Sequence, residues 1–115
     1  MITRDRAYAE LTMSDKTQFE LRIVAYREEG SWLAHCLELD IVAEGKSSKK
    51  AVRDVIDLCI LQIKVAIEEN DLPAIIRPAP SEIWTMFFSA TKKKRFRPSP
   101  RGPVREIDER ELELV

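Results

Sequence analysis

The sequence predicts an α+β domain, in which a three-stranded antiparallel meander is packed by one long helix and followed by a short C-terminal helix. Three observations carry that prediction. Residues 19–44 hold three short segments with the alternating pattern of half-buried strands. Residues 48–70 switch to the 3.6-residue period of an amphipathic helix. Gly, Pro and Ser cluster at the boundaries between segments rather than inside them. A length of 115 residues allows one compact domain, and a hydrophobic content of 44% suffices for one core and excludes a wholly disordered chain.

The first strand is read at residues 19–27, FELRIVAYR, where Phe19, Leu21, Ile23 and Ala25 alternate with Glu20, Arg22, Val24 and Tyr26. Glu28-Glu29-Gly30-Ser31 supplies the turn, with Gly30 free to take the positive φ of a tight hairpin. The second strand, 32–37, places Trp32, Ala34 and Cys36 on one face and Leu33, His35 and Leu37 on the other. A polar bend at Glu38 and Asp40 leads into a short third strand, 41–44, which ends at Gly45. Ser47 or Ser48 then caps a helix that runs to about residue 70, before Pro73.

That helix carries two apolar stripes. Val52, Val55, Ile56, Cys59, Ile63, Ala66 and Ile67 face the sheet, while Leu58, Leu61 and Val65 form a second stripe on another side. One sheet cannot cover both, so the second stripe needs the C-terminal segment or another subunit. Residues 72–80 contain three prolines and read as extended, with 74–76 a possible fourth strand. Ser81 reads as the cap of a helix over 82–91, whose Trp84, Phe87 and Phe88 form a docking patch for this domain or a neighbour.

Charge divides the chain. Residues 92–105 hold seven basic and no acidic residues, whereas 106–115 hold five acidic and one basic. Pro98, Pro100, Gly102 and Pro103 interrupt any regular element there. The expected organisation is therefore an N-terminal segment at 1–14, a folded domain at 15–91 and a flexible charged tail at 92–115. An alternative has the basic run meet the acidic stretch 106–113, within one chain or between chains, with Val104, Ile107, Leu112 and Leu114 docking alongside.

A net charge of -1 argues against a dedicated nucleic-acid coat, and no apolar run approaches the roughly 18–20 residues of a membrane-spanning helix. The first fifteen residues lack the apolar core of a signal peptide, so the expected location is cytoplasmic. Cys36 and Cys59, the only cysteines, allow neither a disulfide scaffold nor a four-cysteine zinc site, and they read as small buried thiols.

The chemistry reads as non-enzymatic. Two-metal nucleases need several converging carboxylates, but Glu38 and Asp40 share a bend while Asp54 and Asp57 lie on the helix. His35, the only histidine, has Cys36 on the opposite strand face and reads as a packed or interface residue. There is no Gly-rich phosphate loop, no metal-ligand spacing and no nucleophile elbow, and no cofactor is expected.

Residues 30–51, GSWLAHCLELDIVAEGKSSKKA, carry an aromatic in the second strand and a short strand ending in a Gly-polar-Ser step. A helix entered through Ala follows. The matching positions are Gly30, Trp32, Ala34, Glu38, Leu39, Gly45, Ser47 or Ser48, and Ala51. This pattern resembles the HicB-like antitoxin family over residues 19–69, about half the chain. It departs from the family in having no Pro around Glu38 and Asp40. No helix-turn-helix or ribbon-helix-helix pattern follows residue 70.

The resemblance implies a βββα unit followed by a further strand, a partial ribonuclease-H-like arrangement. It also implies an antitoxin that occludes a small, basic, RNA-cleaving toxin. Partner contacts are expected at the acidic bend (Glu38, Asp40) and the second stripe (Leu58, Leu61, Val65). The stripe and the apolar outer sheet face (Val24, Tyr26, Leu33, Leu37) also favour a homo-oligomer. A weaker nucleic-acid role would fall to Lys92, Lys93, Lys94, Arg95 and Arg97, with Phe96 available for stacking.

Overall fold

Strands β1 (Phe19–Glu28) and β2 (Ser31–Cys36) form an antiparallel hairpin in the computed structural model, which describes residues 19–99 and 101–112. The expected N-terminal segment 1–14 and Leu114 lie outside the described residues. Glu29 (φ 51°) and Gly30 (φ 84°) make the two-residue turn, and positive φ at both positions matches the right-handed twist of the strands they join. Strand β3 (Ile41–Gly45) continues the meander by pairing antiparallel with β2.

Helix α1 (Ser48–Glu68) begins where Ser47 Oγ accepts the backbone N–H of Lys50 at 3.1 Å, so Ser47 rather than Ser48 is the cap. The Gly-polar-Ser step has a steric reason. A Cβ on Gly45 would stand 2.9 Å from the Ala51 nitrogen, so β3 can meet the first turn of α1 only without a side chain there. Gly45→Ala is accordingly expected to cost about 1–3 kcal/mol, the range for forcing a methyl into a packed site. A urea melt with an unshifted midpoint would contradict this.

From Ala51 to Ala66, α1 lays its inner stripe on Leu21, Ile23, Ala25, Ala34 and Cys36. This is the larger core.

After α1 the chain departs from expectation. Residues 74–76 are not a fourth strand. Leu72–Ile75 form a 3₁₀ turn begun by Pro73, in which the Ala74 N–H bonds to the Asp71 carbonyl and the Ile76 N–H to that of Pro73. The backbone groups a strand would offer are thus engaged locally. Arg77 and Ala79 then donate to the Glu38 and Leu37 carbonyls, carrying the chain from the α1 face to the opposite face of the sheet.

Helix α2 (Ser81–Ser89) follows, with Pro80 rather than Ser81 at its N-cap and no side-chain capping bond. It stops at Ser89, short of the expected 91, because Ala90 is already extended toward the next strand. Ile83 and Phe87 pack on Val24, Tyr26 and Leu37 to form a second, smaller core. This corrects one expectation: the outer sheet face is covered by the chain's own helix and gives no reason for an oligomer.

The largest correction concerns the described part of the expected tail 92–115. Instead of a flexible stretch it supplies β4 (Lys92–Phe96) and β5 (Val104–Glu111). The sheet has five strands in the order β3-β2-β1-β5-β4, with β5 parallel to β1 and every other pair antiparallel. Val104 and Ile107 are fully buried in the larger core and Leu112 packs against the smaller one. The α+β class and the βββα opening stand, and the meander is one side of a mixed sheet with a helix on each face.

Candidate partner-binding site

The acidic bend is tied inward. Glu38 accepts the Arg22 backbone N–H on Oε1 and the Arg22 guanidinium on Oε2, both at 2.7 Å. Leu37 donates to the Arg22 carbonyl, so Glu38 closes the ladder where β2 leaves β1. Asp40 takes a left-handed turn (φ 54°) that aims its carboxylate at His35 Nε2, 2.6 Å away. His35 is buried on the α2 face, and its Nδ1 has no partner among the described residues. Both carboxylates expected to meet a partner therefore carry structural contacts.

The second stripe of α1 behaves differently. Leu58 (41% exposed), Leu61 (58%) and Val65 (41%) stay exposed to solvent. Leu58 and Leu61 line a groove of about 490 Å³ between α1 and β3, shared with Ala43, Glu44, Asp54 and Asp57. Among the described residues β3 forms one edge of the sheet, and it lines that groove through Ala43 and Glu44. Lys50 pairs with Asp54 at 2.9 Å across one helical turn, and Glu44 and Asp57 complete an acidic rim around an apolar floor. The groove joins residues distant in sequence. Helical spacing alone marks Leu58, Leu61 and Val65, but only the position of β3 at the edge adds Ala43 and Glu44.

The basic run lies at the far edge. Lys92 and Arg95 pair with Glu111 (3.9 Å) and Asp108 (3.6 Å) on β5, so the basic run meets the acidic stretch within one chain. Lys94 stands opposite Glu109 and sits over the Phe96 ring at 5.3 Å. Lys93 faces Arg110 in the register, on the other side of the sheet, and Arg97 follows the strand. A row of lysines along an edge strand also discourages pairing with another sheet.

Sequence reasoning missed Asp108 and Arg110. Arg110 makes a two-pronged contact with Asp108 at 3.3 Å and lies 4.1 Å from the Phe87 ring centroid, fastening β5 to α2. The i, i+2 spacing of the pair on one strand face was the available signal.

Two titratable groups bear on chemistry. Hydrogen bonding with Cys36, reinforced by burial, pushes the Cys59 thiol up. Both thiols are fully buried, so neither presents a nucleophile. Burial also raises the carboxyl of Glu109, with Glu111 adding to the rise and Lys94 opposing it. Because the folded value lies above the unfolded one, the folded chain holds the extra proton and stability falls as pH climbs through that value. Glu109→Gln is expected to melt higher than the parent at pH 7–8, with the gap closing toward about pH 4. A gap that widens on acidification would contradict that origin.

Among the described residues, no group of three His, Cys, Asp or Glu is placed to hold a metal ion, and no helix is long and apolar enough to cross a membrane. Comparison with protein families, curated proteins and solved structures finds no match to the chain.

Proposed function

We propose that this chain is a cytoplasmic protein-interaction module, a HicB-like antitoxin relative that occludes a small, basic, RNA-cleaving toxin. Its partner surface in this reading is the groove between β3 and α1. The observation that carries the reading is the solvent-facing stripe of Leu58, Leu61 and Val65 beside an edge strand. Apolar side chains left half-exposed on a folded domain mark a contact surface, and a free strand edge can accept an added strand. Of the rim carboxylates, Asp54 is held by Lys50, and Glu44 and Asp57 favour a basic partner, since complementary charge speeds encounter and rejects acidic competitors.

The toxin reading rests on the resemblance, with which the βββα order, the close fit of Gly45 against Ala51 and the presence of a further strand after α1 are in keeping. The occluding surface is moved from Glu38 and Asp40 to the groove because those two carboxylates already serve Arg22 and His35.

The test is co-expression with the product of a short basic reading frame adjoining the gene. The parent chain should restore growth and co-purify with that product. Leu61→Asp should weaken the complex at least about tenfold while leaving the circular dichroism spectrum intact, because charging a central apolar contact removes burial and adds desolvation. Failure to bind or neutralise the product sinks the reading.

A second reading, self-association, is favoured by the same edge of β3, which pairs with no further strand among the described residues. It predicts a dimer at micromolar concentration by light scattering, dissociated by Leu61→Asp. The toxin reading is preferred, since a two-fold contact there sets the acidic rims of two copies against each other.

A further inference from the structure

At the edge opposite β3, α1 and the β4–β5 ribbon enclose a cleft of about 430 Å³, within the size range of small-ligand sites. Its apolar floor is made by Val52, Ile56 and Phe96. Three cations line it from two elements far apart in sequence. Lys49 and Arg53 stand one helical turn apart on α1, and Lys94 projects from β4. Among the described residues, the ion pair of this part of α1 joins Lys50 to Asp54, and neither Lys49 nor Arg53 has a carboxylate partner.

We propose that this cleft binds a nucleotide, either free or as one unit of a single strand, with its phosphate on Lys49, Arg53 and Lys94 and its base over Phe96. Phosphate is the counter-ion that a cluster of Lys and Arg matches best, and an exposed aromatic face stacks any base. The Lys94 ammonium now over the Phe96 ring would move outward onto the phosphate and leave that face to the base. Two carboxylates also line the cleft: half-buried Glu109 would accept from an exocyclic amine of the base, and Asp57 is shared with the β3 groove. The site differs from a basic tail: Lys92 and Arg95 are engaged by Glu111 and Asp108, and Lys93 lies on the other face.

The experiment titrates the full chain with AMP by calorimetry and with a fluorescein-labelled hexamer of oligoadenylate by anisotropy, at 50 and 200 mM salt. Saturable binding that weakens with salt is expected for the hexamer. The double variant Lys49→Glu/Arg53→Glu, built from exposed positions, should weaken it at least about tenfold, and Phe96→Leu about fivefold or more. Lys93→Glu should stay within about twofold of the parent, since it lies outside the cleft. AMP binding as tightly as the hexamer assigns the site to free nucleotide; a hexamer at least about tenfold tighter assigns it to a strand. Absence of saturable binding to both probes, or an equal loss in Lys93→Glu, overturns the proposal. None of these outcomes depends on toxin binding.

Discussion

A chain ending at Thr91 is expected not to fold. That truncation keeps every element in which hydrophobic periodicity is plain, yet it removes the strand that lies between β1 and β4. Val104 and Ile107 would leave the larger core, and full burial of such side chains is worth about 1.5–3 kcal/mol each. Seven residues of β1, from Phe19 to Ala25, would lose their parallel partners, and Leu21 and Ile23 would be uncovered at a new edge. Arg110 would no longer hold Phe87. Against a typical total stability of about 5–15 kcal/mol, these losses leave no margin. The expected spectra are collapsed amide dispersion and no cooperative melt for residues 1–91. A native-like melt of that fragment would show that β5 is an accessory.

Phe87→Ala is the point substitution with the largest expected effect. Phe87 is fully buried at the centre of the smaller core, where it joins α2 to Val24, Tyr26 and Leu37. One side of its ring carries the Arg110 guanidinium and another the Phe88 ring, 5.2 Å away and edge-on. Removing it opens a cavity and strips a cation from its aromatic partner, for an expected loss of about 3–5 kcal/mol. Phe88 is 63% exposed, and Phe88→Ala should cost under about 1 kcal/mol. Urea titrations of the two variants side by side check this. Equal losses would contradict the assignment of α2 to the sheet through Phe87.

The first three strands and α1 were legible because each obeys one period over its length. In β2, Trp32, Ala34 and Cys36 fall on the α1 face, and Leu33 belongs to the α2 side. The exposure of Leu58, Leu61 and Val65 was legible for the same reason. Strand β5 was not. Six of its eight residues are charged, and its two buried residues, Val104 and Ile107, are three apart because a bulge at Arg105 breaks the alternation. Its neighbour β4 has no apolar residue before Phe96, as suits an edge strand. Both elements are specified by long-range pairing: Lys92 with Glu111, Arg95 with Asp108, Phe96 with Ile107.

The outer sheet face read as vacant because α2 reaches it only after the chain crosses the sheet end, guided by backbone bonds from Arg77 and Ala79. No side-chain pattern encodes that crossing. The structural work of Glu38 was hidden similarly, since its partner Arg22 lies sixteen residues away.

The groove between β3 and α1 is the point on which the functional account turns, and hydrogen exchange on the chain with and without the adjoining basic product addresses it most directly. Slower exchange on complex formation at the amides of β3, Ile41–Gly45, and of α1 residues 58–65, with β4 unchanged, is the predicted result. Protection confined to residues 37–40 or to β4, or no protection at all, would contradict it.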